Sequence, residues 1–155
     1  MTPTDTTTTA DVADLPSLAG RTLGPTAWRS LNQSEVDAFA DLTDDHNPVH
    51  VDPAEAAHTP FGGTIVHGFF TVAMLAPLVN ELIAVEGASL SINYGIDKLR
   101  FPAAVPVGAR FRASGDLVEV TEVAGGHQLR IAVTVEVEDS AKPALVAECL
   151  FRHYA

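Results

Sequence analysis

Phe69-Phe70-Thr71-Val72-Ala73-Met74-Leu75-Ala76-Pro77-Leu78-Val79, followed by Asn80 and Glu81, is the stretch whose reading decides the fold. Its first eight residues are apolar except Thr71, and a helix with no wet face has to be buried. The run is too short to span a membrane. We read a helix over residues 69–84, kinked or divided at Pro77, because an internal proline removes a hydrogen bond and bends the axis. A buried helix needs a surface to wrap it, and a strongly curved sheet supplies one.

That sheet is legible downstream. Leu129, Ile131, Val133, Val135 and Val137 alternate with polar neighbours such as Arg130, Thr134 and Glu136, a period of two with one buried face. Gly125-Gly126 marks a hairpin before this strand, so Arg110–Val123 is its partner. The apolar phase of that partner slips across Ser114-Gly115-Asp116, which predicts a bulge or bend there. A last strand after Pro143 puts Leu145, Ala147, Cys149 and Phe151 on one side. Helices first and a meander of strands afterwards predict an α+β fold with an antiparallel sheet.

Upstream, residues 1–14 are polar, Thr-rich and aperiodic, and are expected to be disordered, leaving residues 15–155 as the folded domain. Ser34 with Asp37 has the spacing of a capping box and predicts a helix from Ser34 to about Thr43. Asp44-Asp45-His46-Asn47-Pro48-Val49-His50 reads as a loop, since Pro48 disfavours helical geometry at Asn47. Asp52-Pro53-Ala54-Glu55 then has a capping Asp and Pro at the first position of a short helix.

The chain has 155 residues, 46% apolar and 19% charged, which suits one globular domain with a real core. A net charge of −11 argues against nucleic-acid binding. Only Arg21 and Arg29, of nine basic residues, precede residue 97, so an anionic ligand would meet the later ones, Lys98, Arg100 or Arg110 among them. The single cysteine, Cys149, sits in an apolar stretch and reads as a buried inert thiol, which favours a cytoplasmic setting. No signal-peptide pattern opens the sequence and no membrane partner is expected.

Asp45 and His50 are five residues apart in one rigid turn, and a carboxylate with an imidazole is the usual pair for moving protons near neutral pH. Hydrating a double bond conjugated to a thioester needs a water deprotonated as it attacks the β carbon and a proton delivered to the α carbon. It also needs a hydrogen-bond donor for the carbonyl oxygen, where negative charge builds. Gly68, after His67 at the head of the buried helix, offers an unpaired backbone N–H and room for close approach.

Asp45-x-Asn47-Pro48-x-His50 followed by Ile65-Val66-His67-Gly68 resembles the MaoC-like (R)-specific enoyl-thioester hydratases and 3-hydroxyacyl-thioester dehydratases of the hotdog fold. Leu99-Arg100-Phe101-Pro102, Val105-Pro106-Val107-Gly108, Ile92-Asn93-Tyr94-Gly95 and Ala141-Lys142-Pro143-Ala144 are similar to its nodulation-protein-N-like subgroup. The resemblance implies a single hotdog domain, an antiparallel sheet wrapped around a central helix. It implies that Asp45 and His50 hold the catalytic water, that Asn47 orders their loop and that the Gly68 N–H polarises the thioester carbonyl. It further implies a homodimer joined sheet edge to sheet edge, with an acyl-CoA or acyl-carrier thioester entering between subunits and no cofactor. Where some members carry a Ser on the central helix this chain has Ala76; Thr71 would be the substitute, although a helical Thr more often bonds its own backbone.

His67 reads as a loop-ordering residue or a substrate contact, and Tyr94 as a tunnel-lining or core aromatic. A metal site at His46 and His50 would need both on one helix, which Pro48 argues against. Two rival functions share the fold: a hotdog thioesterase, for which Glu81, late on the central helix and past Pro77, is the only acidic residue before Glu86, and a non-catalytic acyl-thioester-binding partner subunit.

Overall fold

The structure is a computed structural model, and it describes residues 6–155. A five-stranded antiparallel sheet has the order β2 (Thr22–Leu23), β5 (Phe111–Val123), β6 (Gly126–Val137), β7 (Leu145–Tyr154), β4 (Leu90–Arg100). Its concave face wraps α4 (Gly68–Ala73) and α5 (Leu75–Leu82), as the buried-helix reading requires. Leu75, Leu78 and Leu82 of the helix share one core with Leu117, Leu129, Ile131, Val133 and Val135 of the strands. The alternation read in Leu129–Val137 is the buried face of β6, and Leu145, Ala147, Cys149 and Phe151 are the buried face of β7. Gly125, at φ +82°, turns the β5–β6 hairpin.

The central helix is in two pieces that meet at Met74. Pro77 has no N–H for the Ala73 carbonyl, so the ladder breaks there and resumes with Leu78 N–H bonding Met74 O at 3.1 Å. The helix stops at Leu82, two residues short of the expected end, because Ile83–Glu86 extends as β3. Its first turns are less buried than composition predicts: Phe69 is 72% exposed in the single chain.

β3 pairs in parallel with β1 (Thr8–Asp11), a strand in the segment expected to be disordered. Thr8–Asp11 is held through backbone hydrogen bonds, which need no apolar pattern, and its β-branched threonines suit a strand. Asp11 then caps a 3-10 helix, Val12–Leu18, whose Val12 and Leu15 enter the core. The part of the expectation that falls on residues 1–5 lies outside the described residues.

Three local readings shift. Helix α1 runs Gln33–Thr43 and its capping box is Asn32 with Glu35, two residues before the Ser34 reading; Ser34 Oγ instead bonds the cap itself. The β5–β6 register slips between Leu117 and Glu119, while Gly115 pairs regularly with Val133, where a Cβ would press on Ala132 O at 3.1 Å. Pro48–Val51 is a turn of helix, α2, because proline at the first position has no N–H to lose, and Asn47 caps it. The Asp52-capped turn follows as α3 (Pro53–Ala56).

Candidate active site

The 44–50 segment is placed by what surrounds it. Asp44, in the left-handed conformation at φ 58°, ends α1 and swings the chain outward. Asn47 accepts from Val49 N at 3.2 Å and so starts α2, which carries His50 inward while Asp45 stays exposed. Gln33 ties this turn to its neighbours: its amide donates to His50 O at 2.8 Å and accepts from Thr64 Oγ1 at 2.7 Å.

His50 is buried, and its Nδ1 lies 2.8 Å from Ile65 O. A carbonyl only accepts, so Nδ1 carries the proton and Nε2 is left as a bare lone pair. Burial lowers the pKa of His50, and the neighbouring His67 lowers it further, although the Ile65 bond and Asp45 act in the other direction. The ring is thus held neutral and basic at Nε2.

His67, 1% exposed, stacks on His50 with ring centroids 3.8 Å apart, and Phe39 packs on it at 5.0 Å. Its Nε2 donates to the backbone carbonyl of Asp45 at 2.9 Å, which leaves Nδ1 as a buried acceptor without a partner among the described residues. One nitrogen of each ring and an Asp45 carboxylate oxygen all lie within 4.8 Å of one another. The structure therefore brings together Asp45, His50 and His67, seventeen residues beyond His50. For a metal, His67 is the third group that the sequence did not reveal, whereas His46 is exposed and bonded to Asp41 at 2.9 Å. The distances suit an ion, but the ring orientation does not. Imidazole lone pairs lie in the ring plane, and two rings stacked at 27° send them side by side, so an ion on both sits out of plane of at least one.

Gly68 opens α4, where a first-turn N–H has no partner within the helix. His50, Gly68, Thr71, Ile65, Phe61 and Phe101 line one cavity of about 320 Å³. A Cβ on Gly68 would stand 3.2–3.4 Å from the Phe101 ring, so glycine lets that ring lie close against the head of the helix, and a larger residue would push it back by a few tenths of an ångström. Thr71 Oγ1 points to His67 O at 3.4 Å, the local bond expected of it. Ala76 lines a second cavity of about 240 Å³, with Val72, Asn93, Ile96 and Phe151.

Tyr94 is not brought to either cavity: it is 52% exposed and lies on the Arg152 guanidinium at 3.3 Å. Glu81 is buried at the far end of α5 in an ion pair with Arg29. The sequence reading assigned no site role to Phe39, Ile65 and Phe101, which act through packing or backbone atoms, or to Gln33, whose side-chain amide bridges residues far apart in sequence. Cys149 is buried, and burial pushes its thiol up to about 11, as expected of an inert cysteine.

Comparison with known proteins places these features in a family. A family profile described as the MaoC-like domain matches residues 14–140. The chain is similar to 3-hydroxyacyl-thioester dehydratase Z of Mycobacterium tuberculosis, 51% identical over 145 residues that cover 93% of this chain and 96% of that one. It is also similar to nodulation protein N of Rhizobium leguminosarum, 39% identical over 88% of this chain and 86% of the other. Among solved structures, an (R)-hydratase from A. caviae involved in PHA biosynthesis superposes with a TM-score of 0.71 at 28% identity, covering 86% of this chain and 94% of that one.

Proposed function

The chain belongs to the MaoC-like family, and on that premise we propose that it catalyses the reversible hydration of trans-2-enoyl thioesters to (R)-3-hydroxyacyl thioesters, as a hydro-lyase. The observation that carries this reading is the neutral His50 in the cavity that Gly68 also lines, with a ring nitrogen within 4.8 Å of an Asp45 carboxylate oxygen.

In the hydration direction a water is held between Asp45 and His50. His50 Nε2 takes one of its protons as the water oxygen bonds the β carbon. The double-bond electrons move toward the α carbon and the carbonyl oxygen, where the Gly68 N–H meets the developing charge. The proton then passes from this pair to the α carbon. One O–H bond and the carbon–carbon π bond break, one C–O and one C–H bond form, and no electrons leave the system; dehydration is the same path reversed. The acid–base pair is worth roughly 100- to 10,000-fold in rate, and an oxyanion donor on the order of 100- to 1,000-fold. Asn47 orders the loop, and His67 acts on Asp45 through its backbone.

A dimer joined at β4 fits the same reading. β4 is a sheet edge with exposed Leu90, Tyr94 and Ile96, and a bare edge of this kind is a template for pairing with a second copy. No helix among the described residues is long and apolar enough to cross a membrane.

The thioesterase alternative is weakened by Glu81, which is committed to Arg29 away from the cavity. The test is to follow the ultraviolet absorbance of the conjugated enoyl thioester with crotonyl-CoA, while a thiol reagent reports free CoA. Loss of absorbance without thiol, yielding the (R) product on chiral analysis, is expected. Thiol release with the double bond intact would replace hydration with hydrolysis.

A further inference from the structure

His50 sits in a helix too short to hold itself. α2 (Pro48–Val51) is a single turn, and a turn of that length is marginal without outside support. Its last carbonyls have no partner inside the helix. The Ile65 N–H meets Val49 O at 3.1 Å, and the Gln33 side-chain amide meets His50 O at 2.8 Å. Gln33 is the first residue of α1, so the support comes from a different element, seventeen positions away in sequence.

The rest of that amide is also engaged. Gln33 Oε1 accepts from Thr64 Oγ1 at 2.7 Å, and Gln33 Nε2 donates as well to Asp37 Oδ1 at 2.8 Å. Thr64 precedes Ile65, whose carbonyl accepts from His50 Nδ1 at 2.8 Å. The bonds therefore close a ring: His50 O to the Gln33 amide, Gln33 to Thr64, Thr64 along the chain to Ile65, and Ile65 O back to the His50 imidazole. The segment carrying Thr64 and Ile65 is pinned from its other side, by Val107 N on Thr64 O at 2.9 Å and Val66 N on Val105 O at 2.8 Å. Gln33 thus fixes the backbone of His50 relative to the carbonyl that its own ring has to reach.

The ring of bonds asks for an amide. Asp37 Oδ1 and His50 O accept, while Thr64 Oγ1 donates, so the side chain between them has to give two hydrogens and take one. Glutamate has the same shape and can accept from Thr64. It would, however, set a carboxylate oxygen against two oxygens at 2.8 Å. These groups are part-buried, where a polar atom that loses its partner costs more than it does on the surface.

We infer that Gln33, closed into this ring by Thr64, is a positioning residue for His50: it keeps Nδ1 on Ile65 O and so leaves Nε2 bare. It touches no reacting atom. The inference rests on the hydratase reading and adds to it the group that sets the tautomer of the base. With the ring open, α2 is freed to shift, and a neutral imidazole that leaves Ile65 O places its proton on either nitrogen.

The test reads tautomer and rate together. Nitrogen NMR of the full chain with isotope-labelled histidine, at a pH well above 6.5, separates a protonated ring nitrogen from a bare one. The His50 signals are assigned by their absence from His50→Gln. Wild type should show a single tautomer with the proton on Nδ1. Gln33→Glu and Thr64→Val should each draw the two nitrogens toward a common averaged position and lower kcat on crotonyl-CoA by about 10- to 100-fold, with KM little changed. Thr64→Ser retains the hydroxyl and should retain the tautomer and most of the rate. Opening the ring twice should cost little more than opening it once, so the Gln33→Glu, Thr64→Val double variant should fall well short of the product of the two losses. A fixed Nδ1–H tautomer in both single variants, at any rate of turnover, would overturn the inference. So would an averaged tautomer at a wild-type rate, or Thr64→Ser as impaired as Thr64→Val. Circular dichroism verifies folding; if Gln33→Glu fails it, Thr64→Val, with the shape of threonine, decides alone. If wild type consumed no enoyl thioester, the hydratase reading would fall, while the tautomer of Thr64→Val against wild type would still decide the ring.

Discussion

His67 donates from Nε2 to the backbone carbonyl of Asp45 at 2.9 Å, so a side chain buried at the head of the central helix fixes the position of an exposed carboxylate twenty-two residues earlier. The bond links the two sequence motifs directly. It makes His67 a positioning residue that acts through Asp45.

His67→Ala should therefore lower kcat, by up to about 100-fold if Asp45 moves by an ångström, with a smaller effect on KM. His67→Gln should recover much of the loss, because its amide can donate to the same carbonyl. Steady-state kinetics on both variants, with circular dichroism to verify folding, reads this out. Equal loss in both would assign His67 to packing alone.

The pH dependence has a definite sign. Hydration needs His50 neutral, and burial holds its pKa below the ordinary 6.5. The acid limb of kcat/KM should then lie below pH 6.5, and activity should be level as pH rises above it. His153, at the other end of the sheet, is likewise lowered by burial. Each group's stabilising contribution is complete above the unfolded value and is lost as pH falls from there toward the folded value, since the unfolded chain binds protons the folded chain refuses. His153→Gln should flatten the decline of thermal midpoint below pH 6.5 and leave the kinetic limb in place.

Gly68→Ala sets a methyl group 3.2–3.4 Å from Phe101. Phe101 is 44% exposed and has room to yield, so the variant should fold. The displaced ring and the crowded N–H should lower kcat by less than the ~100- to 1,000-fold of a deleted oxyanion donor. Adding Phe101→Ala should return part of the loss. A double variant no faster than the single would separate Phe101 from the effect.

Ile96→Lys places a charge on the exposed edge strand β4 and should convert a dimer to a monomer with reduced activity. Sedimentation velocity checks it; a wild-type monomer, or a coefficient that the substitution leaves unchanged, would contradict a dimer joined at β4.

What was legible in the sequence was periodic or closely spaced. The buried helix, the alternation of Leu129–Val137 and the Asp45–His50 spacing all lie within a few turns of chain, where side-chain type and geometry are tightly linked. The division of the helix, expected at Pro77 and found at Met74, follows from the N–H that Pro77 lacks and needs no tertiary knowledge. The strand Thr8–Asp11 was not legible, because its pairing with Ile83–Glu86 is made by backbone groups that every residue carries. The Asn32 cap escaped because Ser34 offered a competing pattern two residues on. At the site, the Ile65 carbonyl that sets the His50 tautomer and the Phe101 ring against Gly68 are long-range contacts. Tyr94 shows the converse: a motif aromatic, suited to a tunnel by type, that its strand turns toward Arg152.

The most direct measurement is the initial rate of enoyl absorbance loss for wild type, Asp45→Asn and His50→Ala on crotonyl-CoA at neutral pH. Wild type should consume the conjugated double bond, and each variant should be slower by at least ~100-fold while keeping the wild-type fold and CoA affinity. Variants that hydrate crotonyl-CoA at the wild-type rate would contradict the assignment of the acid–base pair to Asp45 and His50.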